Sequence, residues 1–274
     1  MVFGSSSHDF YFVDSHCHLD RLDLSPYSGD LSALILEARK VGVKEMLCVS
    51  VSFENVARCI EIAESDPHIM ASVGVHPSDI AKGWNESFPW QEFVQHPKVI
   101  AIGETGLDYH YGVDQKLEQC EAFVAQIEMA KSVRKPLIVH TRAAKEDTLA
   151  LLKAHQAEKA RGVLHCFTED QEMAFKALDL GFYISFSGIL TFKNAEPLRE
   201  VVRSLPLDRI LIETDSPYLA PMPHRGKSCE PKWVIEVARK IAELKEVSLE
   251  VVARQTRQNF YDLFLPNNPL LLEG

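Results

Sequence analysis

Four histidines and two carboxylates in this chain are of the types that hold divalent cations: His16, His18, His140 and His165, with Glu104 and Asp215. Each stands at the end of a short apolar run. In an extended segment, residues two apart point to the same side, so His16 and His18 can reach one ion together. Cys17 between them then turns the other way, into packing, and Cys166 beside His165 is read in the same manner, because thiolate ligation usually comes with paired cysteines. A single histidine at a strand end is often a satisfied core residue. Six such groups at one rim are harder to bury, because gathering titratable side chains away from water is costly unless a cation compensates them. The set predicts a metal centre. His76, which precedes Pro77, is expected beside it, touching substrate or supporting a ligand, whereas His68, His96, His110 and His155 fall away from these ends and read as surface or structural residues.

The elements that must position these groups are short runs alternating with helical patterns. The runs are Phe10 to Val13, Met46 to Val51, Ile69 to Val75, Val99 to Ile102, Leu137 to Val139, Gly162 to Leu164, Phe182 to Ser185 and Arg209 to Ile212. Each is short enough for a strand buried on both faces. The clearest helical pattern spans Gln115 to Val133, with Leu117, Cys120, Phe123, Val124, Ile127 and Ala130 as its apolar stripe. Eight strand–helix units predict an α/β fold of the (β/α)8 TIM-barrel type, with the polar residues at the C-terminal strand ends where such barrels build their sites. A doubly wound sheet would need a glycine-rich loop after its first strand, and Asp14-Ser15-His16-Cys17-His18 stands there instead. Two further helical patterns occupy Glu230 to Phe264, the first of which is expected to close the barrel. Residues 1–9 read as a disordered lead-in and 10–274 as one TIM-barrel domain.

Composition narrows the classes. The chain has 274 residues, 46% hydrophobic and 25% charged, as in a soluble globular protein. Its longest apolar runs fall short of the ~18 residues that cross a bilayer, so no membrane partner is expected. Six scattered cysteines imply free thiols and a cytoplasmic setting. A net charge of −10 argues against broad affinity for nucleic acid, so any hold on a phosphate polymer must be local. A monomer is expected.

Longer motifs surround the six residues. They are Val13-Asp14-Ser15-His16-Cys17-His18-Leu19-Asp20, Gly74-Val75-His76-Pro77, Gly103-Glu104-Thr105-Gly106-Leu107-Asp108-Tyr109, Val139-His140-Thr141-Arg142, Leu164-His165-Cys166-Phe167 and Glu213-Thr214-Asp215-Ser216-Pro217-Tyr218-Leu219-Ala220-Pro221. Together they resemble the TatD family of metal-dependent deoxyribonucleases, from about Tyr11 to Phe264. The segments from Gly181 to Gly188 and from Pro223 to Lys227 bring the chain nearest the YcfH-like branch. The resemblance implies two divalent ions (Zn, Mg or Mn): His16, His18 and Asp215 would hold one, His140 and His165 the other, with Glu104 between them.

Two ions roughly 3.5–4 Å apart would activate water and stabilise an in-line displacement at phosphorus. Asp215 is the expected proton acceptor, with Glu104 the second catalytic residue. DNA is the expected partner, cleaved at its phosphodiester bonds, with 3′ exonuclease action on single strands as the narrower form. Arg142 and the basic loop carrying His224 and Arg225 are expected to clamp phosphate, and Tyr109 and Phe192 to stack on a base. The alternative keeps the metals and changes the bond: an esterase or amidohydrolase acting on a small substrate or on aminoacyl-tRNA.

Overall fold

In a computed structural model of the protein, which describes residues 10–82, 85 and 87–266, eight parallel strands lie side by side in chain order. They are β1 (Phe12–Cys17), β2 (Val43–Cys48), β3 (Ile69–Val73), β4 (Val99–Asp108), β5 (Leu137–Arg142), β6 (Gly162–Leu164), β7 (Phe182–Phe186) and β8 (Ile210–Ile212). Helices alternate with them: α1 (Leu31–Lys40), α2 (Val56–Glu64), α3 (Trp90–Val94), α4 (Lys116–Val133), α5 (Lys145–Ala154), α6 (Gln171–Asp179), α7 (Glu196–Ser204), α8 (Val234–Lys245) and α9 (Leu249–Phe264). The result is the expected TIM barrel, nearly closed. The lead-in at 1–9 and the last eight residues fall outside the described residues. Among those described, no helix is long and apolar enough to cross a membrane.

The β8–β1 seam is fastened by side chain as well as backbone. Asp14 accepts hydrogen bonds from the Thr214 amide at 2.9 Å and the Thr214 hydroxyl at 2.5 Å. Just above, the Asp215 amide donates to the His16 carbonyl and the His18 amide to that of Ser216. The seam therefore fixes three of the chemistry-bearing residues, His16, His18 and Asp215, against one another.

Apolar residues pack in two layers. One side of the strands, including Phe12, Met46, Ile69, Val99, Leu137 and Phe182, meets the helices. Side chains pointing the other way, including Val13, Leu47, Met70, Ile100, Ile138, Val163, Tyr183 and Leu211, form a separate core with Phe260, Tyr261, Leu263 and Phe264 of α9. Of the two C-terminal helices, the first, α8, packs against β8, β1 and α7 and closes the outer ring, as expected, and the second, α9, supplies the plug. Phe260 is fully buried in that plug. Phe260→Ala is expected to destabilise the protein by about 3–5 kcal/mol, the usual cost of emptying an aromatic core position, as read from urea denaturation midpoints.

The α4 stripe also differs from its expectation. Leu117 is 68% exposed, and the buried face is Gln119, Ala122, Phe123, Gln126, Ile127 and Ala130. The two glutamines are buried because α4 packs on loops whose backbone groups have no ladder partner. Gln119 accepts from the Asp108 amide and donates to the carbonyls of Asp108 and Gly112. Gln126 bonds the amide and carbonyl of Val75, beside His76. Through these bonds α4 holds the ends of β3 and β4 where the site begins.

Candidate metal centre

Glu104 lies within β4 with its carboxylate at the centre of the cluster, 3% exposed. Its Oε2 is 3.4 Å from His16 Nε2 and 3.9 Å from His18 Nε2. Its Oε1 is 2.7 Å from His165 Nε2, 3.3 Å from His140 Nδ1 and 3.3 Å from His76 Nε2. Asp215 joins the first side, its Oδ1 lying 3.6 Å from His16 Nε2 and 3.4 Å from His18 Nε2. The other five residues expected as ligands thus divide between the two sides of the Glu104 carboxylate. His76 stands as close to Glu104 as His140 does, so it belongs to the cluster itself.

Sharp backbone turns bring these groups together. Asp215 has φ 56° and Cys166, just after His165, φ 44°. Non-glycine residues rarely adopt this left-handed region, and such conformations persist where the surrounding structure fixes them. Gly106 meets a different demand: a Cβ there would lie 2.0 Å from the His140 carbonyl oxygen. Glycine lets β4 pass close to β5 at the ligand position.

A second layer sets which nitrogen each imidazole turns inward. His18 Nδ1 lies 3.0 Å from the Val49 carbonyl oxygen, which can only accept, so Nδ1 carries a proton and Nε2 faces the cluster. His140 Nε2 pairs with Asp108 Oδ2 at 3.0 Å, and His165 Nδ1 with Glu213 Oε1 at 3.3 Å. Asp108 is steadied by the amides of His110 and Tyr111, and Glu213 by the Cys166 amide and the Ser185 hydroxyl. Outer partners of this kind orient and strengthen metal-binding histidines. Neither carboxylate was singled out in the sequence, although both stand inside its motifs. Glu213, two residues before Asp215 at the end of a strand, carries the same spacing signal as His16 and His18.

The electrostatics of the cluster set carboxylates against imidazoles. Burial opposes ionisation of Glu104, yet His165, His76, His140 and His16 hold its carboxyl well below the usual range. Burial likewise opposes the charge on Asp215, and His18 and His16 keep it low. Burial disfavours the charged imidazole of His18, but Asp215 and Glu104 raise it to about 9. His140 and His165 are raised for the same reason, against burial, by Asp108, Glu104 and Glu213. Burial pushes His76 down to about 3 and lowers His16. His16 Nδ1 is buried with no hydrogen-bond partner among the described residues. Protons on the inner nitrogens occupy the positions that a cation bound by lone pairs would take, so the donor set fits divalent metal.

Two expected outcomes follow. Metal must displace protons from groups titrating up to about 9, so affinity should rise and proton release fall as pH goes from 7 to 9; calorimetric titrations in buffers of different ionisation heat read both. Asp108→Asn, which removes the anion behind His140, should weaken metal binding by about 10–100-fold, read by competition with a chelating dye.

The cluster floors a cleft of about 790 Å³. Arg142 lines it, as do Arg21, Tyr111 and Tyr218, which the sequence did not single out; Cys166, expected to turn into packing, lines it too, because its left-handed backbone breaks the alternation of an extended segment. Four residues expected at the substrate, Tyr109, Phe192, His224 and Arg225, do not line it. The Tyr109 hydroxyl donates to Asp147 at 2.7 Å, beneath Lys116. His224 stacks on Trp233 with ring centroids 4.3 Å apart. The Arg225 guanidinium lies 3.9 Å from the Phe192 ring centroid and donates to the Ala220 carbonyl. Contacts with Asp147 of α5, with Trp233 and between Arg225 and Phe192 turn these side chains aside. His68, His96 and His155 pair with Glu45, Glu64 and Glu128, away from the cleft.

A family model described as TatD related DNase matches residues 13–265. The chain belongs to the TatD family. It is 45% identical over 259 residues to the metal-dependent hydrolase YcfH of Escherichia coli strain K12, covering 93% of this chain and 96% of that protein. The metal-dependent hydrolase YabD of Bacillus subtilis strain 168 is 42% identical over 255 residues, covering 93% and 99%. The crystal structure of YJJV, a TatD homologue from Escherichia coli K12, superposes with a TM-score of 0.86 at 29% identity, over 94% of this chain and 98% of that one. This TatD-family protein is a metal-dependent hydrolase.

Proposed function

We propose that the protein cleaves phosphodiester bonds of DNA using two divalent cations, one held by His16, His18 and Asp215 and the other by His140 and His165, with Glu104 shared. The observation that carries this reading is the division of Glu104, whose two oxygens each face a separate set of imidazoles. When bound, such cations polarise phosphoryl oxygens and lower the pKa of water at the site. Asp215 keeps its carboxyl ionised and partly open to the cleft, which suits it to accept a proton from the attacking water. Arg142 has no carboxylate partner among the described residues and supplies positive charge for a phosphate. Local charge of this kind lets a chain of net charge −10 hold an anionic polymer.

The second reading, hydrolysis of a small ester or of aminoacyl-tRNA, gains from two observations. The cleft has the volume of a small-molecule site, and Arg225 is not part of its lining. Both also suit the end of a strand, which is how a 3′ exonuclease meets DNA. The test is a panel assay of metal-stripped protein on single-stranded DNA, duplex DNA, RNA, aminoacyl-tRNA and simple carboxylic esters, with Mg²⁺, Mn²⁺ and Zn²⁺ restored separately. Metal-dependent release of nucleotides from DNA is expected. Turnover of esters without turnover of DNA would overturn the reading.

A further inference from the structure

We propose that the cleft carries two nucleobase-binding subsites on opposite rims, Tyr111 with Arg142 and Tyr218 with Arg21, one for the nucleoside on each side of the scissile phosphate. The proposal rests on the phosphodiesterase reading and names how that substrate would be gripped. Tyr111 follows β4 and Arg142 ends β5, whereas Arg21 follows β1 and Tyr218 follows β8. In an eight-stranded barrel ordered β1 to β8, these two pairs stand four strands apart, on opposite sides of the metal cluster.

The pairs are built alike. The Tyr111 amide donates to Asp108 Oδ1 at 3.0 Å, and the Tyr218 amide to the Asp215 carbonyl at 2.9 Å. Each tyrosine is therefore held by a turn that starts three residues earlier, at an aspartate of the site: by the Asp108 side chain in one case and the Asp215 backbone in the other. Each also meets an arginine: the Arg142 guanidinium lies 4.7 Å from the Tyr111 ring centroid, and Arg21 lines the cleft together with Tyr218. Both rings remain in water, Tyr111 72% exposed and Tyr218 48% exposed. An exposed, fixed aromatic ring beside a guanidinium suits a planar base attached to a phosphate. Base–aromatic stacking tolerates any sequence, and guanidinium groups favour phosphate oxygens. The arrangement also accounts for Tyr218 resting edge-on to His18, with ring centroids 6.0 Å apart, where a base stacked on it would adjoin the metal cluster.

The test is calorimetric titration of the metal-loaded protein with thymidine 5′-phosphate, thymidine 3′-phosphate and inorganic phosphate. Each nucleotide is expected to bind about tenfold more tightly than phosphate, a typical contribution of one stacked base. Tyr111→Ala should abolish that gain for one nucleotide and Tyr218→Ala for the other. Phosphate affinity should stay unchanged in both variants, and Tyr→Phe at either position should retain the gain. Equal affinity of wild-type protein for nucleotides and phosphate would overturn the proposal, as would alanine variants that keep the nucleotide gain. Binding is read without diester cleavage, so subsites that respond as expected in a protein that leaves DNA intact would sink the nuclease reading alone. DNA cleavage with insensitive tyrosines would sink the subsites alone.

Discussion

Glu104→Gln is expected to lower kcat/KM by at least about a thousandfold and to reduce tightly bound metal. The substitution keeps the side chain's size and removes the charge that five imidazoles face. On the two-cation reading, ions on either side would lose their common anion, and their mutual repulsion would no longer be offset. Charge stabilisation by a preorganised donor typically contributes two to three powers of ten to rate, and here one group supports both halves of the site. The protons raised onto His140 and His165 should also leave, because Glu104 is a principal cause of both shifts. Metal content per chain, measured after dialysis, and steady-state kinetics check the two parts. Near-normal metal and rate in this variant would remove Glu104 from the centre of the account.

Asp215→Asn should act differently. The amide keeps an oxygen that can ligate a cation but cannot accept a proton at neutral pH. The expected result is a kcat lower by about 10²–10⁴-fold, with a smaller change in KM and with metal still bound. The loss of kcat without loss of metal separates a proton-accepting role from a purely ligating one. If the asparagine variant kept both its metal and its turnover, some other group would have to take the proton. Cys166 is a poor substitute, because burial pushes its thiol well above the ordinary range.

The barrel and the rim on which these side chains cluster were legible in the sequence because both rest on local patterns. Short apolar runs specify buried strands, and a (β/α)8 order fixes which strand ends share a face. His16, His18, Glu104, His140, His165 and Asp215 then fall on that face by position alone. What stayed hidden depended on tertiary choices. The burial of Gln119 and Gln126 answers unpaired backbone in neighbouring loops, which no apolar period reveals. The plug role of Phe260 and Phe264 depends on which end of the barrel α9 covers. The largest departure concerns the rim. Tyr109 and Tyr111 are two residues apart, and the Asp108 turn sends the first toward Asp147 and the second into the cleft. The basic loop at 223–227 follows a strand end, as a phosphate clamp should, yet His224 and Arg225 pack on Trp233 and Phe192. Loop direction is set by such contacts, not by composition.

The most direct test of the central claim is anomalous diffraction from crystals of this protein grown with Mn²⁺. The account predicts two peaks, one beside each oxygen of Glu104: the first within reach of His16, His18 and Asp215, the second within reach of His140 and His165. A single peak, or peaks away from Glu104, would contradict it.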